Sequence, residues 1–271
     1  MRLPRPSTAT LLSLGLTGVL LWLCLALALR VWVPPPAPAA EFAWLAKTYG
    51  PGHHSEFLEE WIVRDVFHDR RGGVFLDVGA ADFKEKNNTY FLEANLGWSG
   101  IAVDAMDYAA GYRAARPHTR FYRFFVSDRS DDVVEFYELK RNNAASSGDK
   151  AFVDRFGETP TVRRVETITL DRLLDSAGVP HVDFVSLDIE LGEPKALAGF
   201  DIRRFQPSLV CVEAHAEVRQ SLLDYFARNG YVVLGKYLRV DTRNLYFAPL
   251  GQPGPLPFPP DVVAADTKEG Y

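Results

Sequence analysis

Six short, nearly continuous apolar runs narrow the folds open to this chain more than any other pattern. They are rich in Val, Phe and Ile and span residues 74–78, 101–104, 120–126, 182–187, 209–213 and 231–234. Strands buried on both faces show continuous rather than alternating hydrophobicity. The runs therefore predict the strands of a parallel sheet that is covered by other elements on both sides.

Helical patterns fill most of the gaps between these runs. They span residues 56–70, 90–95, 169–176, 193–200 and 218–229, the last followed by Gly230 as a C-cap. Strand and helix in alternation predict an α/β, Rossmann-like doubly wound domain. Residues 129–168 interrupt the alternation with two extended segments and a polar stretch. This insertion would form a lid or substrate surface, or an idle surface loop.

The amino terminus is strongly apolar. Residues 6–29 contain no charged side chain, and as a helix they are long enough to cross a bilayer. A cleaved signal peptide is the alternative, because small residues follow at 36–40. We predict a single-pass membrane protein that contacts the bilayer through residues 8–29. The arginines flanking the span differ by too little to fix which side of the membrane bears the body.

The chain divides into four predicted parts. They are a membrane anchor at 1–33, a Pro/Ala-rich linker at 34–53, a catalytic domain at 54–250 and a Pro-rich tail outside the core at 251–271. The anchor holds three arginines and no acid, so the rest of the chain has 27 basic against 35 acidic residues. An acidic body without a basic run argues against nucleic acid as a partner. The two cysteines, Cys24 and Cys211, have no spacing typical of a disulfide scaffold or zinc site.

Polar residues stand where the predicted strands end, which is where open α/β sheets bind ligands. Gly79 follows the first strand, and Asp104 ends the second. A glycine turn and a carboxylate at this spacing suit the ribose of an adenosine-containing ligand, although a tight turn and a helix N-cap are simpler readings of each. The loop lacks the further glycines of a nicotinamide site. Asp77 suits a cationic nucleoside such as S-adenosylmethionine better than a pyrophosphate.

Six blocks in order resemble the FkbM family of S-adenosylmethionine-dependent methyltransferases. They are residues 75–82, 88–93, 96–101, 125–128, 182–193 and 212–215, within a similarity that covers about residues 55–248. The resemblance implies a seven-stranded class I methyltransferase sheet with an antiparallel last strand. It also implies methyl transfer, typically to a hydroxyl oxygen.

The resemblance assigns roles to residues of this chain. It implies that the loop of Asp77, Gly79, Ala80 and Ala81 holds the methionine end of the cofactor, Asp104 the ribose, and Ser127 with Asp128 the adenine edge. The chain departs from the family at Phe83 and Leu191, where a glycine is usual. A phenyl ring beside the cofactor would stack on the adenosine or clash with it.

The chemical step has several candidate groups at the ends of the fourth and fifth strands. The predicted catalytic residues are Asp188, Glu190, Glu213 and His215, any of which could act as general base. The same side chains could instead hold a divalent cation, although no residue is assigned as a metal ligand.

The sequence leaves the acceptor open. Asn88 and Thr89 either contact it or cap the following helix. A glycan, lipid or small molecule with a hydroxyl group is expected, and the oligomeric state stays undetermined. Two alternative functions are a membrane-bound adaptor that keeps the fold without turnover and, less favoured, a nicotinamide oxidoreductase.

Overall fold

A computed structural model describes residues 40–263 of this protein. The predicted anchor at 1–33, the start of the predicted linker and residues 264–271 lie outside the described residues. Among the helices that are described, none combines the length and apolar character that crossing a bilayer requires.

A seven-stranded, mostly parallel sheet forms the centre of the domain, which confirms the predicted fold class. Its strands in spatial order are β3 (Thr119–Arg123), β2 (Ser99–Asp104), β1 (Val74–Val78), β7 (Phe184–Leu187), β8 (Leu209–Glu213), β10 (Asn244–Pro249) and β9 (Tyr231–Val233). Only β10 runs antiparallel to its neighbours. The chain order reverses at β1, which pairs with β2 on one side and β7 on the other. Ligands bind at such switch points in open α/β sheets.

Helices cover both faces of the sheet, and nine α-helices lie within residues 40–228. They are α1 (Ala40–Tyr49), α2 (Glu59–Phe67), α3 (Tyr90–Leu96), α4 (Ala109–Ala115), α5 (Lys150–Asp154), α6 (Leu170–Ser176), α7 (Glu193–Ala198), α8 (Ile202–Phe205) and α9 (Arg219–Arg228). Alternate strand residues face opposite apolar clusters: Leu76 packs with α6 to α9, whereas Phe75 packs with α1 to α3. Burial of both faces explains the continuous hydrophobicity of the strands.

The third predicted strand is wrong as a single unit. Residues 119–123 belong to the main sheet, whereas β4 (Phe125–Val126) turns away and pairs with the insertion. There β4, β6 (Thr161–Ile168) and β5 (Val133–Glu138) form a second, three-stranded sheet. An apolar run does not reveal a change of partner sheet, because both halves are equally hydrophobic.

Both ends of the described domain extend beyond the predicted boundaries. Helix α1 lies in the predicted linker, yet Leu45 is fully buried in the core. Phe258 lies in the predicted tail, yet it is buried with its ring centroid 5.4 Å from that of Trp44. Between them the Lys236 ammonium lies 4.6 Å from the Phe258 ring and bonds to Asp65 at 2.5 Å. Flanking prolines concealed these short packing segments, so residues 40–53 and 258 belong to the fold.

Candidate active site

The loop after β1 requires glycine at its first position. Gly79 has φ of +79°, and its N–H donates to the Val103 carbonyl of β2 at 2.9 Å. A Cβ built there would lie 1.7 Å from the carbonyl oxygen of Asp188. Only glycine therefore allows this loop to pack so closely against the end of β7 at the switch point, where Gly79 also lines a cavity.

Asp104 ends β2 beside this loop, as the spacing predicts. Its carboxylate accepts hydrogen bonds from the backbone N–H groups of Ala81, at 3.0 Å, and Met106, at 2.8 Å. Burial raises the pKa of Asp104 to about 6, against the lowering effect of these N–H groups. Near neutral pH it is mostly a carboxylate that can accept bonds from hydroxyl groups.

Buried hydrogen bonds of Asp77, Asn87 and Thr89 stabilise the loop. The Thr89 hydroxyl is fully buried and donates to Asp77 at 2.8 Å, and burial raises the pKa of Asp77 to about 6. Thr89 occupies the N-cap of α3, but its side chain makes no capping bond. The buried amide of Asn87 donates to the carbonyls of Ala80, at 3.1 Å, and Asp82, at 3.0 Å. Sequence reasoning passed over Asn87 because only its burial reveals this role.

Arg116 is a second residue that sequence reasoning missed. Its side chain is 1% exposed and donates to Glu93 at 2.5 Å. The same guanidinium binds the Phe83 carbonyl at 2.9 Å, the Asn87 side chain at 3.1 Å and the Thr89 hydroxyl at 3.1 Å. One buried cation thus holds the loop between residues 83 and 89.

A cavity of about 60 Å³ lies between the glycine loop and the insertion. Its lining includes Gly79 and Asp104 from the sheet, and Phe136, Ala144 and Ser146 from the insertion. Pockets that bury a small-molecule ligand usually measure about 300–1,000 Å³. The insertion therefore covers the predicted adenosine site and leaves room for only a few water molecules.

The remaining predicted cofactor residues lie at the edge of this cavity. Ser127 and Asp128 directly follow Val126, which lines it, and the Ser127 hydroxyl donates to the Asp128 carboxylate at 3.0 Å. The ring of Phe83 packs with Ala80 and Tyr112, and close against Gly111 of α4. Phe83 therefore packs in this apolar cluster and is not among the residues that line the cavity.

Three predicted catalytic side chains meet at one point. Nε2 of His215 lies 3.0 Å from Oε2 of Glu190 and 2.9 Å from Oε2 of Glu213. The three donor atoms lie within 4.8 Å of one another. Burial first, and neighbouring carboxylates second, raise the pKa of both glutamates to about 7. We call these three residues the Glu–His–Glu group.

Two further carboxyl groups adjoin it. Asp188 opens onto the cavity, and loss of water around its carboxyl group, followed by the charge of Glu213, raises its pKa well above the usual range. Glu193 is fully buried, and burial raises its pKa to about 7. One of its oxygens accepts from the Ile189 N–H at 3.0 Å, whereas the other has no donor within residues 40–263. Four acidic groups with raised pKa values make this a site that favours positive charge.

The loop that bears Glu190 is held in an unfavourable backbone conformation. Glu190 has φ of +53° and Leu191 has φ of +76°. Left-handed conformations cost about 1–2 kcal/mol for residues other than glycine. Leu191 stands where the resemblance leads one to expect glycine, so this chain keeps the turn but not the residue that adopts it freely.

A polar pocket of about 40 Å³ opens on the other side of Asp188 and Glu213. Asn88 lines it and donates to the Ser186 hydroxyl at 2.9 Å, so the two residues predicted to contact the acceptor separate, with only Asn88 facing this pocket. Arg243 donates to Glu213 at 3.3 Å and lies 4.4 Å from the Phe57 ring. Arg243 and Phe57 also line an outer groove of about 370 Å³. The groove and the polar pocket form a candidate route for an acceptor.

A family model and several solved structures match this chain. A family model described as the methyltransferase FkbM domain matches residues 77–233. A search of solved structures returns, among its matches, two of the MycE methyltransferase from the mycinamycin biosynthetic pathway. The complex with Mg, SAH and mycinamycin VI is 12% identical, with 82% of this chain and 58% of MycE covered and a TM-score of 0.41. The complex with Mg and SAH is 11% identical, with 98% and 68% covered and a TM-score of 0.38. A comparison with curated protein sequences finds no match.

Proposed function

Because this chain belongs to the methyltransferase FkbM domain family, we propose that it transfers a methyl group from S-adenosylmethionine to a hydroxyl oxygen. The observation that carries this proposal is the pairing of Asp104 with the glycine loop at the switch point of the sheet. The Asp104 carboxylate suits the ribose hydroxyls. Gly79 lines the same cavity as Asp104, so its backbone lies where the rest of the nucleoside would approach.

The charge of the site also fits this cofactor. S-adenosylmethionine supplies an electrophilic methyl group on a sulfonium, and it carries an ammonium as well. Asp188 and Glu190 follow β7, one strand away from the loop, and Glu213 ends β8, the next strand. Burial first, and repulsion between carboxylates second, raise their pKa values, and a nearby cation would offset both effects.

The residues of this chain would then align the acceptor and remove its proton. Asn88 and Arg243 line the polar pocket and can orient a hydroxyl group toward Asp188 and Glu213. The Glu–His–Glu group would accept the proton, since a base is most effective when its pKa lies near the working pH. Such a base contributes about 10²–10⁴-fold and alignment about 7–11 kcal/mol.

Binding of the cofactor is the first test. Calorimetric titration of the full chain in detergent with S-adenosylmethionine should show binding that Asp104→Ala weakens tenfold or more. Asp107→Ala is the matched control, because that exposed carboxylate lies in the same turn and bonds only to the Ala109 N–H. If wild-type protein gives no heat, the enzyme is excluded and the alternative of a membrane-bound adaptor is favoured.

A divalent cation at the Glu–His–Glu group is a second candidate. Two carboxylates and an imidazole are suitable ligands, and their donor atoms lie within 4.8 Å of one another. The cation would neutralise the carboxylates and acidify a bound hydroxyl. Titration with MnCl₂ tests this: Glu213→Gln should remove binding that Glu217→Gln retains. Activity that survives exhaustive chelation would exclude a catalytic cation.

The acceptor and the membrane tether also belong to this proposal. We infer a span at residues 8–29 from the sequence, and a tethered enzyme favours a glycan, a lipid or a lipid-linked sugar as acceptor. A methyl-label transfer screen on membrane extracts would identify the acceptor. Protease protection in sealed vesicles, probed from each side, would report which face bears the domain.

A further inference from the structure

The insertion contacts the catalytic loop as well as covering the cavity. The Ser147 hydroxyl donates to the backbone carbonyl of Glu190 at 2.6 Å. The side chain of Leu191 packs against an apolar cluster of the insertion made by Leu139, Ala145, Phe152 and Val153. We call residues 139–153 the cap segment. It thus contacts both residues of the Glu190 loop that have left-handed backbone conformations, Glu190 and Leu191.

The cap segment also touches the imidazole of the Glu–His–Glu group. The ring centroids of Phe152 and His215 are 5.3 Å apart, at an interplanar angle of 66°. This edge contact limits the rotation of the imidazole on one side, while Glu190 and Glu213 contact Nε2 on the other. The position of His215 therefore depends on where the cap segment lies.

Strain and contacts together indicate a conditional conformation. The turn at Glu190 and Leu191 is unfavourable by itself, so it persists because surrounding contacts stabilise it. In the described residues those contacts include the Ser147 hydrogen bond and the burial of Leu191. If the cap segment moved away, both would be lost and the turn could relax.

The size of the cavity indicates that the cap segment moves when a ligand binds. Ala144 and Ser146 of the cap segment form part of the wall of a space of about 60 Å³, too small for a nucleoside. If the protein binds S-adenosylmethionine as proposed above, the cap segment must shift to admit it. While the cap segment is displaced the Glu190 loop is released, and closure of the cap segment over the bound cofactor restores its contacts with the loop.

We propose that the cap segment holds the Glu190 loop in the conformation that brings Glu190 to His215, with Ser147 and Phe152 as positioning residues. Access of the cofactor and assembly of the Glu–His–Glu group are then one motion. The part that concerns cofactor access rests on the proposed function. The part that concerns the contacts between the cap segment and the Glu190 loop is independent of it.

Amide hydrogen exchange of the full chain, without any ligand, tests whether the cap segment stabilises the Glu190 loop. Ser147→Ala should speed exchange over residues 188–193 by about three- to tenfold, the worth of one hydrogen bond, at an unchanged melting midpoint. Ser147→Thr should restore the slow exchange. Ser146→Ala is the matched control, because its hydroxyl accepts only the Leu139 N–H within the cap segment. Equal exchange over 188–193 in wild type, Ser147→Ala and Phe152→Leu would overturn the proposal.

Saturating S-adenosylhomocysteine tests the coupling to the cofactor. In wild type it should slow exchange over 139–153 and 188–193 together, whereas Ser147→Ala should protect the cap segment alone. Slowing over 139–153 without 188–193 in wild type would refute the single motion. If no heat and no protection occur in any variant, the proposed function fails, while the ligand-free comparison still decides whether the cap segment holds the loop.

Discussion

Replacement of Arg116 by methionine should be among the most damaging single changes in this domain. The pair with Glu93 is almost completely buried, with side chains 1% and 4% exposed. Methionine has a similar length but leaves the Glu93 carboxylate without its cation, and it frees four acceptors in the loop at 83–89. Removal of one partner of a buried ion pair costs about 3–5 kcal/mol. With a urea m-value of about 2–3 kcal/mol/M, the unfolding midpoint should fall by about 1–2.5 M.

The measurement is urea unfolding followed by far-ultraviolet circular dichroism. Arg113→Met, on the exposed side of the same helix, should change the free energy of unfolding by less than about 0.5 kcal/mol. Combining Arg116→Met with Glu93→Gln should cost less than the sum of the two, by about 2–3 kcal/mol, because the second change removes the stranded charge. A loss below about 1 kcal/mol for Arg116→Met, or strict additivity in the double variant, would refute the reasoning.

Three other predictions concern the loop and the carboxyl groups. Gly79→Ala should abolish calorimetric binding of S-adenosylhomocysteine, because its Cβ would lie 1.7 Å from the Asp188 carbonyl oxygen; retained affinity would show that this approach is not tight. Because the pKa of Asp104 is about 6, affinity should rise from pH 5 to pH 7 as the carboxylate forms, and Asp104→Asn should flatten this rise. Burial raises the pKa of Glu193 from 4.5 to about 7, so its stabilising contribution is complete below pH 4.5 and is lost as the pH rises through 7. The unfolding free energy of Glu193→Gln minus that of wild type should therefore increase by about 1–3 kcal/mol from pH 5 to pH 8. Urea unfolding that gives the same difference between the two proteins at both pH values would contradict this.

The sequence predicted the placement of those residues whose place in the fold follows from their position along a strand. Gly79 directly follows a strand, Asp104 and Glu213 end strands, and strand ends meet at one edge of a parallel sheet whatever the details of packing. Asn87 and Arg116 escaped because their importance lies in burial and in bonds to distant backbone atoms. Nothing in their local patterns distinguishes them from surface residues.

Neighbouring residues show the same limit at finer scale. Asn88 and Thr89 are equally polar, yet one faces the carboxylate pocket and the other faces Asp77. Arg243 reached the site because β10 runs antiparallel beside β8, a pairing between segments about 30 residues apart. The insertion could be recognised as irregular, but its contacts with the Glu190 loop depend on how it folds back over the sheet.

The contacts around Lys236 couple the stability of the two ends of the described domain. Its ammonium pairs with Asp65 and lies between Trp44 near one end and Phe258 near the other. Trimming either end would admit water to this pair and loosen the contact of the opposite end with it. Limited proteolysis from either side should therefore expose the other terminus as well. Any shortened form prepared for biochemistry needs both α1 and Phe258.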